Sequence, residues 1–188
     1  MGKKISVDSS TMINKVYELI EAKKIFNIEY SKIDILIQPS SYVHSIVKYY
    51  GGIIKTLIHD TSMTIPIFNS LYENKKNKVK ISNKLNINLI NNLNLQAVPL
   101  KKFPINKILR HLPKTDSLFE TVLVSTNDTL VKLFLSNKIS YNDIHHYLNK
   151  ILSLKEFSKF KKKHPKNIKE IMQLSEYVRL KTLTFSVV

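Results

Sequence analysis

Residues 5–21 read Ile5-Ser6-Val7-Asp8-Ser9-Ser10-Thr11-Met12-Ile13-Asn14-Lys15-Val16-Tyr17-Glu18-Leu19-Ile20-Glu21. The alternation in Ile5-Ser6-Val7 predicts a short strand, and the residues after it predict a helix. At about 100° per residue, Ile13, Val16, Tyr17 and Ile20 share one face, with Met12 and Leu19 at its edge. Asn14, Lys15, Glu18 and Glu21 fall opposite. A strand entering an amphipathic helix opens a mixed α and β fold and sets Asp8-Ser9-Ser10-Thr11 at the helix N-terminus. Backbone N–H groups and the helix dipole attract an anion at such a place. Asn14 and Lys15 lie about one turn inside and reach back as donor and point charge. Glu18 follows Lys15 by roughly 4.5 Å along the axis. That order suits a ligand with phosphate at one end and metal-binding oxygens at the other. An ordinary surface helix also carries a polar stripe, so both readings stand on pattern alone.

Outward from this segment, Ile33-Asp34-Ile35-Leu36-Ile37 predicts a strand closed by Pro39. Tyr42 to Tyr49 and Ile53 to Ile58, joined through Gly51-Gly52, predict a β-hairpin with a primed turn, packed by Tyr49 and Tyr50. His44 alternates with Tyr42 and Ile46 on one strand face, and His59 with Asp60 is a candidate pair. Pro66 opens a short helix, Ile67 to Tyr72. Residues 73–99, rich in asparagine, read as a linker with one short strand. From Phe103-Pro104 the pattern turns helical, with Ser140 as an N-cap before Ile144, Tyr147, Leu148 and Ile151-Leu152. Ile168, Ile171, Met172, Leu174 and Val178 mark a last helix. His145-His146, His111 and His164 read as structural or surface residues. The fold class is α+β: a mixed portion over 1–72 with a short mixed sheet and hairpin, a linker over 73–99, and a small helical bundle over 100–188.

Composition excludes several chemistries. With no cysteine among 188 residues there is no thiolate nucleophile, disulfide frame or cysteine metal site. With only three glycines, neither a dinucleotide-binding Gly-rich loop nor a P-loop can be built. No run approaches the roughly 18 apolar residues of a membrane span, and no apolar segment behind Lys3-Lys4 makes a signal peptide. The hydrophobic share of 43% supports a packed core. The net charge of +16 is dispersed over lysines, as AT-biased coding produces, with one run at Lys155 to Lys163. A second function class rests on that run: a basic helical module binding RNA or another polyanion, with steep salt dependence.

The residues Met1 to Lys15, continuing through Glu18, Ile20, Glu21, Ala22 and Phe26-Asn27, closely resemble the 1-deoxy-D-xylulose 5-phosphate reductoisomerases. The resemblance runs on through Val43-His44-Ser45-Ile46-Val47, Met63 with Pro66-Ile67, Phe103-Pro104, Leu133-Phe134-Leu135, Ile139 and Asp143-Ile144. It implies an enzyme of the non-mevalonate isoprenoid pathway that uses NADPH and Mn²⁺ or Mg²⁺. The reaction it implies isomerises a small sugar phosphate and then reduces it to 2-C-methylerythritol 4-phosphate. It further implies that Ser9, Asn14 and Lys15 bind the substrate phosphate and that Glu18 is a metal ligand touching substrate. Met1 would lie in an active-site flap against substrate, Gly2 would offer its backbone to NADPH, and His44 would stand close to the site. Glu18, Lys15 and His44 are then the catalytic candidates.

On this reading residues 1–72 are the later part of the catalytic domain and 100–188 the C-terminal helical domain. The NADPH-binding domain is expected to be absent from the chain, which makes it a fragment expected to be inactive alone. The resemblance also implies a homodimer for the full-length protein. Composition together with the pathway points to a plastid-type organelle, an apicoplast, or to the cytoplasm of an AT-rich bacterium. There are departures: Thr61-Ser62-Met63 stands for Pro-Asp-Met, Val16 for a glycine, Gln38 for a common histidine, and Ser125-Thr126-Asn127-Asp128 for Asn-Ala-Ala-Asn-Glu.

Overall fold

The computed structural model describes residues 2–72 and 86–186. In chain order the elements begin with α1 (Lys3–Ser10), α2 (Ile13–Phe26), β1 (Leu36–Ile37), β2 (Val43–Lys48), β3 (Ile54–Ile58), α3 (Thr64–Leu71) and α4 (Ile87–Asn91). They continue with β4 (Gln96–Ala97), α5 (Ile105–Leu109), α6 (Phe119–Leu135), α7 (Tyr141–Leu152), α8 (Lys155–Ser158) and α9 (Ile168–Ser186), with 3-10 turns at Tyr30–Lys32 and Lys159–Lys162. By contact the chain divides into two compact units, one from residues 1–34 with 99–188 and one from 35–98. This grouping places the first two helices with the C-terminal ones.

The strand expected at Ile5-Ser6-Val7 is instead the middle of helix α1. Period-two alternation does not describe what is buried there: Ile5 is exposed, while Val7 and Asp8 are buried together. Helical spacing does describe it, because it sets Lys4 one turn before Asp8, where the two form an ion pair at 2.7 Å. The chain then reverses through Thr11 and Met12, the latter with φ 61°. A methionine held in the left-handed region costs about 1 kcal/mol or more, and burial of its side chain offsets this. The two helices are therefore linked by a tight corner. Helix α2 buries Ile13, Val16, Leu19 and Ile20 and leaves Lys15, Glu18 and Glu21 exposed, as its pattern predicts.

Helix α6 is the centre of the first unit, with α1, α7, α8 and α9 packed on it. Phe119, Val122, Leu123, Leu130 and Val131 are fully buried along it. Helix α7 brings Ile144, Leu148, Ile151 and Leu152, and Phe157 of α8 closes the core, each worth roughly 1.5–3 kcal/mol in transfer from water. Ser140 begins α7 as predicted; its backbone N–H donates to Asp143 Oδ2 at 2.8 Å. The face expected for the last helix is corrected. Ile168 and Met172 are exposed, and the buried line of α9 is Leu174, Val178, Thr182 and Ser186, four residues apart. Thr182 and Ser186 can be buried because their hydroxyls donate to carbonyls of their own helix, Val178 and Thr182. Ser125 of α6 reaches Ser175 of α9 at 2.9 Å in the same manner of small polar contact.

In the second unit β1 pairs antiparallel with β4, Leu36 opposite Ala97, and β2 pairs antiparallel with β3, Lys48 opposite Ile54. The hairpin forms where expected, but its turn is not primed. Gly52 alone in it has positive φ, at 82°, and Tyr49 C=O accepts from Gly52 N–H at 3.0 Å, which makes a three-residue loop. Tyr50, at its tip, is exposed. The helix expected from Pro66 starts two residues earlier, at Thr64, so the proline sits in its first turn where no N–H is needed. Within the asparagine-rich tract, Asn86 Oδ1 accepts from Leu89 N–H and caps the short helix α4. Residues 73–85 of the predicted linker lie outside the described residues. Among the described residues no helix is long and apolar enough to cross a membrane.

Candidate functional site

The corner between α1 and α2 sorts its three hydroxyls. Ser10 and Thr11 turn back and donate to the Val7 carbonyl at 2.8 and 3.1 Å. Ser9 is exposed, and its Oγ accepts from Asn14 Nδ2 at 2.9 Å across the corner. The hydroxyls are thus not an N-terminal cluster after a strand. They close the last turn of α1, and only Ser9 keeps its hydroxyl on the outer side with Asn14. One helical step further along α2, Lys15 Nζ contacts both carboxylate oxygens of Glu18 at 2.8 Å, with both side chains about half exposed. Ser9, Asn14, Lys15 and Glu18 therefore lie on the solvent side of one helix–corner–helix element, in two touching pairs.

Three of the other candidates are placed as follows. Gly2 caps the start of α1 in an extended conformation, φ −68° and ψ 153°, with open space where a Cβ would stand. Met1 lies outside the described residues. His44 belongs to the second unit, on β2, where the pairing shifts between Val43 and Ser45. This bulge makes His44 the extra residue of its strand, so the alternation expected with Tyr42 and Ile46 is broken there. Its ring stacks on that of His59, centroids 3.5 Å apart and planes within 6°. His44 Nε2 donates to the His59 carbonyl at 3.1 Å. His59 in turn contacts the backbone carbonyl of Asp60, not its carboxylate.

Burial and charge single out a cluster that the pattern of residues did not reveal. Asp8, 1% exposed, accepts from Lys4 Nζ at 2.7 Å and from Asn127 Nδ2 of α6 at 2.8 Å. Lys4 also reaches Asp128 at 2.9 Å. Burial works against the Lys4 ammonium, and hydrogen bonds to Asp8 and Asp128 outweigh it, so its pKa is raised. Tyr17, half-buried with its hydroxyl inside, is held far above the ordinary phenol value by burial first and then by the carboxylates of Asp128 and Asp8. Spacing of Lys4 and Asp8 was the one signal available in the sequence. The partner on α6 is 119 positions away.

Among the described residues no three His, Cys, Asp or Glu side chains gather as a metal cage. Glu18 is a hard oxygen donor of the type Mg²⁺ and Mn²⁺ take, and it stands exposed. It fits as one ligand of such an ion and not as a complete site. The lysine run forms α8 and the turn after it. Lys163 is paired with Glu170 at 2.5 Å, and Lys161 lies over the Phe119 ring.

Residues 59–181 match the DXP reductoisomerase C-terminal domain family, and residues 1–26 match the 1-deoxy-D-xylulose 5-phosphate reductoisomerase C-terminal domain family. The chain belongs to the DXP reductoisomerase family. It is 56% identical over 187 residues to the 1-deoxy-D-xylulose 5-phosphate reductoisomerase of Pelagibacter ubique, covering all of this chain and 48% of that one. To the enzyme of the same name from Clostridium novyi it is 36% identical over 179 residues, covering 95% and 45%. A solved DOX-P reductoisomerase in complex with NADPH, fosmidomycin and magnesium superposes with a TM-score of 0.86 at 29% identity, over 98% of this chain and 46% of that one. The Zymomonas mobilis reductoisomerase in complex with NADPH gives 0.80 at 26% identity, over 98% and 47%. The chain spans about half the length of the relatives it matches.

Proposed function

We propose that this chain supplies the phosphate grip and one metal ligand of an NADPH-dependent reductoisomerase that converts 1-deoxy-D-xylulose 5-phosphate to 2-C-methyl-D-erythritol 4-phosphate. One observation carries the reading: the Ser9–Asn14 and Lys15–Glu18 pairs share the solvent side of one element, donors first and carboxylate after. Asn14 and Ser9 donate to phosphate oxygens, and Lys15 turns from Glu18 to meet the phosphate charge. Held at that end, the substrate keeps its carbon skeleton directed along α2 toward Glu18, so binding energy remote from the reacting atoms serves orientation. A divalent cation held in part by Glu18 supplies Lewis-acid polarisation of the substrate oxygens. NADPH, met by the backbone of Gly2, supplies the hydride. His44, its ring ordered by His59, is offered as the third catalytic candidate.

In this reading residues 1–72 are the later part of a catalytic domain, 73–99 a linker and 100–188 a C-terminal helical domain. The chain alone is inactive, since it brings a single carboxylate to the metal and too few glycines for a dinucleotide loop. A homodimer of the full-length protein is supported by apolar side chains that the hairpin leaves in solvent, such as Ile53, Ile54 and Leu57. The bacterial sources of the relatives favour the bacterial cytoplasm over a plastid-type organelle.

The test joins this chain to the remainder of the Pelagibacter ubique relative and follows NADPH oxidation with the deoxyxylulose phosphate and Mn²⁺. The joined protein turns over and the chain alone does not. Glu18→Gln in the joined protein lowers kcat by about a hundredfold or more. Unchanged turnover in that variant would remove Glu18 from the metal site.

A further inference from the structure

Asp8 buries its carboxylate next to Ser9, yet it touches none of the groups assigned to the ligand. An ionised carboxylate is costly to bury unless it is both paired and hydrogen-bonded. Here both conditions are met by residues from two directions: Lys4, one turn earlier in α1, at 2.7 Å, and Asn127, in the middle of α6, at 2.8 Å. Lys4 then extends to Asp128 at 2.9 Å, so two adjacent residues of α6 hold α1, Asp128 near its start and Asn127 near its end. Immediately afterwards the chain turns through Met12 at φ 61°, and across that turn Ser9 accepts from Asn14 at 2.9 Å. Apolar residues of similar volume would bury this contact at least as stably. What a directional bond to a charge adds is orientation. A rotation of the last turn of α1 would carry Ser9 away from Asn14, and the Asp8–Asn127 bond opposes that rotation.

We propose that Asp8 and Asn127 are positioning residues: their hydrogen bond sets the rotation of the last turn of α1 and so aims Ser9 and Asn14 together at one phosphate group. The claim rests on the phosphate-binding reading of Ser9, Asn14 and Lys15.

The full 188-residue chain, labelled with ¹⁵N, is titrated with inorganic phosphate while the amides of Ser9, Asn14 and Lys15 and the Asn14 side-chain amide are followed. Asp8→Asn and Asn127→Asp are compared with the double exchange variant, which restores one amide donor and one carboxylate acceptor with their ends reversed. Each single variant displaces the Asn14 side-chain resonance and weakens phosphate binding about tenfold, and the exchange variant returns to within about threefold of the parent chain. Single variants that keep the parent's phosphate affinity and Asn14 resonance overturn the proposal. Where a single variant does not fold, the exchange variant decides: fold and phosphate affinity recovered together support positioning, and failure of either overturns it. A parent chain whose amides ignore phosphate removes the phosphate reading instead. Positioning is then decided by the Asn14 side-chain resonance alone, displaced in the single variants and restored by the exchange if the proposal holds.

Discussion

Lys15 and Glu18 neutralise one another on an exposed helix face, with both Nζ–Oε separations at 2.8 Å. A pair this exposed contributes between nothing and about 1 kcal/mol, so opening it to receive a ligand costs little. That separates its proposed role in binding from any role in folding. Lys15→Ala is expected to change unfolding free energy by less than about 0.5 kcal/mol in a urea titration. The same variant loses about tenfold in affinity for inorganic phosphate, because a point charge and no scaffold is removed. A fall of several kcal/mol in the urea experiment would mark the pair as a structural bridge instead. Val16, which stands where the family usually has glycine, is completely buried and adds apolar contact on the inner side of the same helix.

Single helices carry the next set of consequences. Helix α7 is capped at its start by the Ser140–Asp143 bond and holds His145 partly inside, with Nδ1 buried and no hydrogen-bond partner for it among the described residues. Burial pulls the His145 pKa down, and burial followed by the nearby Lys161 does the same to His111. A histidine depressed in the folded state stabilises the fold fully above its unfolded value, about 6.5, and that stability is lost as pH falls below it. The urea midpoint is therefore expected to drop between pH 7 and pH 5, a window above the range in which Asp143, Glu170 and Glu176 are held down by their hydrogen bonds. His145→Gln should flatten the drop, measured by far-ultraviolet circular dichroism at the two pH values. An unaltered slope would place the acid sensitivity elsewhere.

Over the whole chain, burial concentrates on α6, and the first unit stands on the side chains that close around it. Phe157 is fully buried, with its ring edge-on to Tyr177 at 6.2 Å between centroids. Phe157→Ala removes the largest side chain of α8 from that core and is expected to cost about 3–5 kcal/mol of unfolding free energy. Urea denaturation followed by circular dichroism checks this, and a loss below about 1 kcal/mol would show that the core relaxes into the space. The net charge of +16 lies outside this core. Some of its lysines meet carboxylates there, Lys163 with Glu170 at 2.5 Å and Lys181 of α9 with Glu156 of α8 at 3.3 Å.

Much was legible from residue order alone. The 3.6-residue period of Ile13, Val16 and Ile20 marked the buried side of α2, and with it the outward side that carries Asn14, Lys15 and Glu18. Two β-branched runs about Gly51-Gly52 marked the hairpin, and Ser140 marked the start of α7. These features are local, set by side chains within a turn or two of one another. Three residues were too few to distinguish strand from helix at Ile5-Ser6-Val7, where the deciding contacts are Lys4 with Asp8 and Asp8 with Asn127. Which side of α9 is buried was likewise decided by packing. Such choices depend on surfaces brought together from opposite ends of the chain, and no periodicity within either segment encodes the partner it will meet.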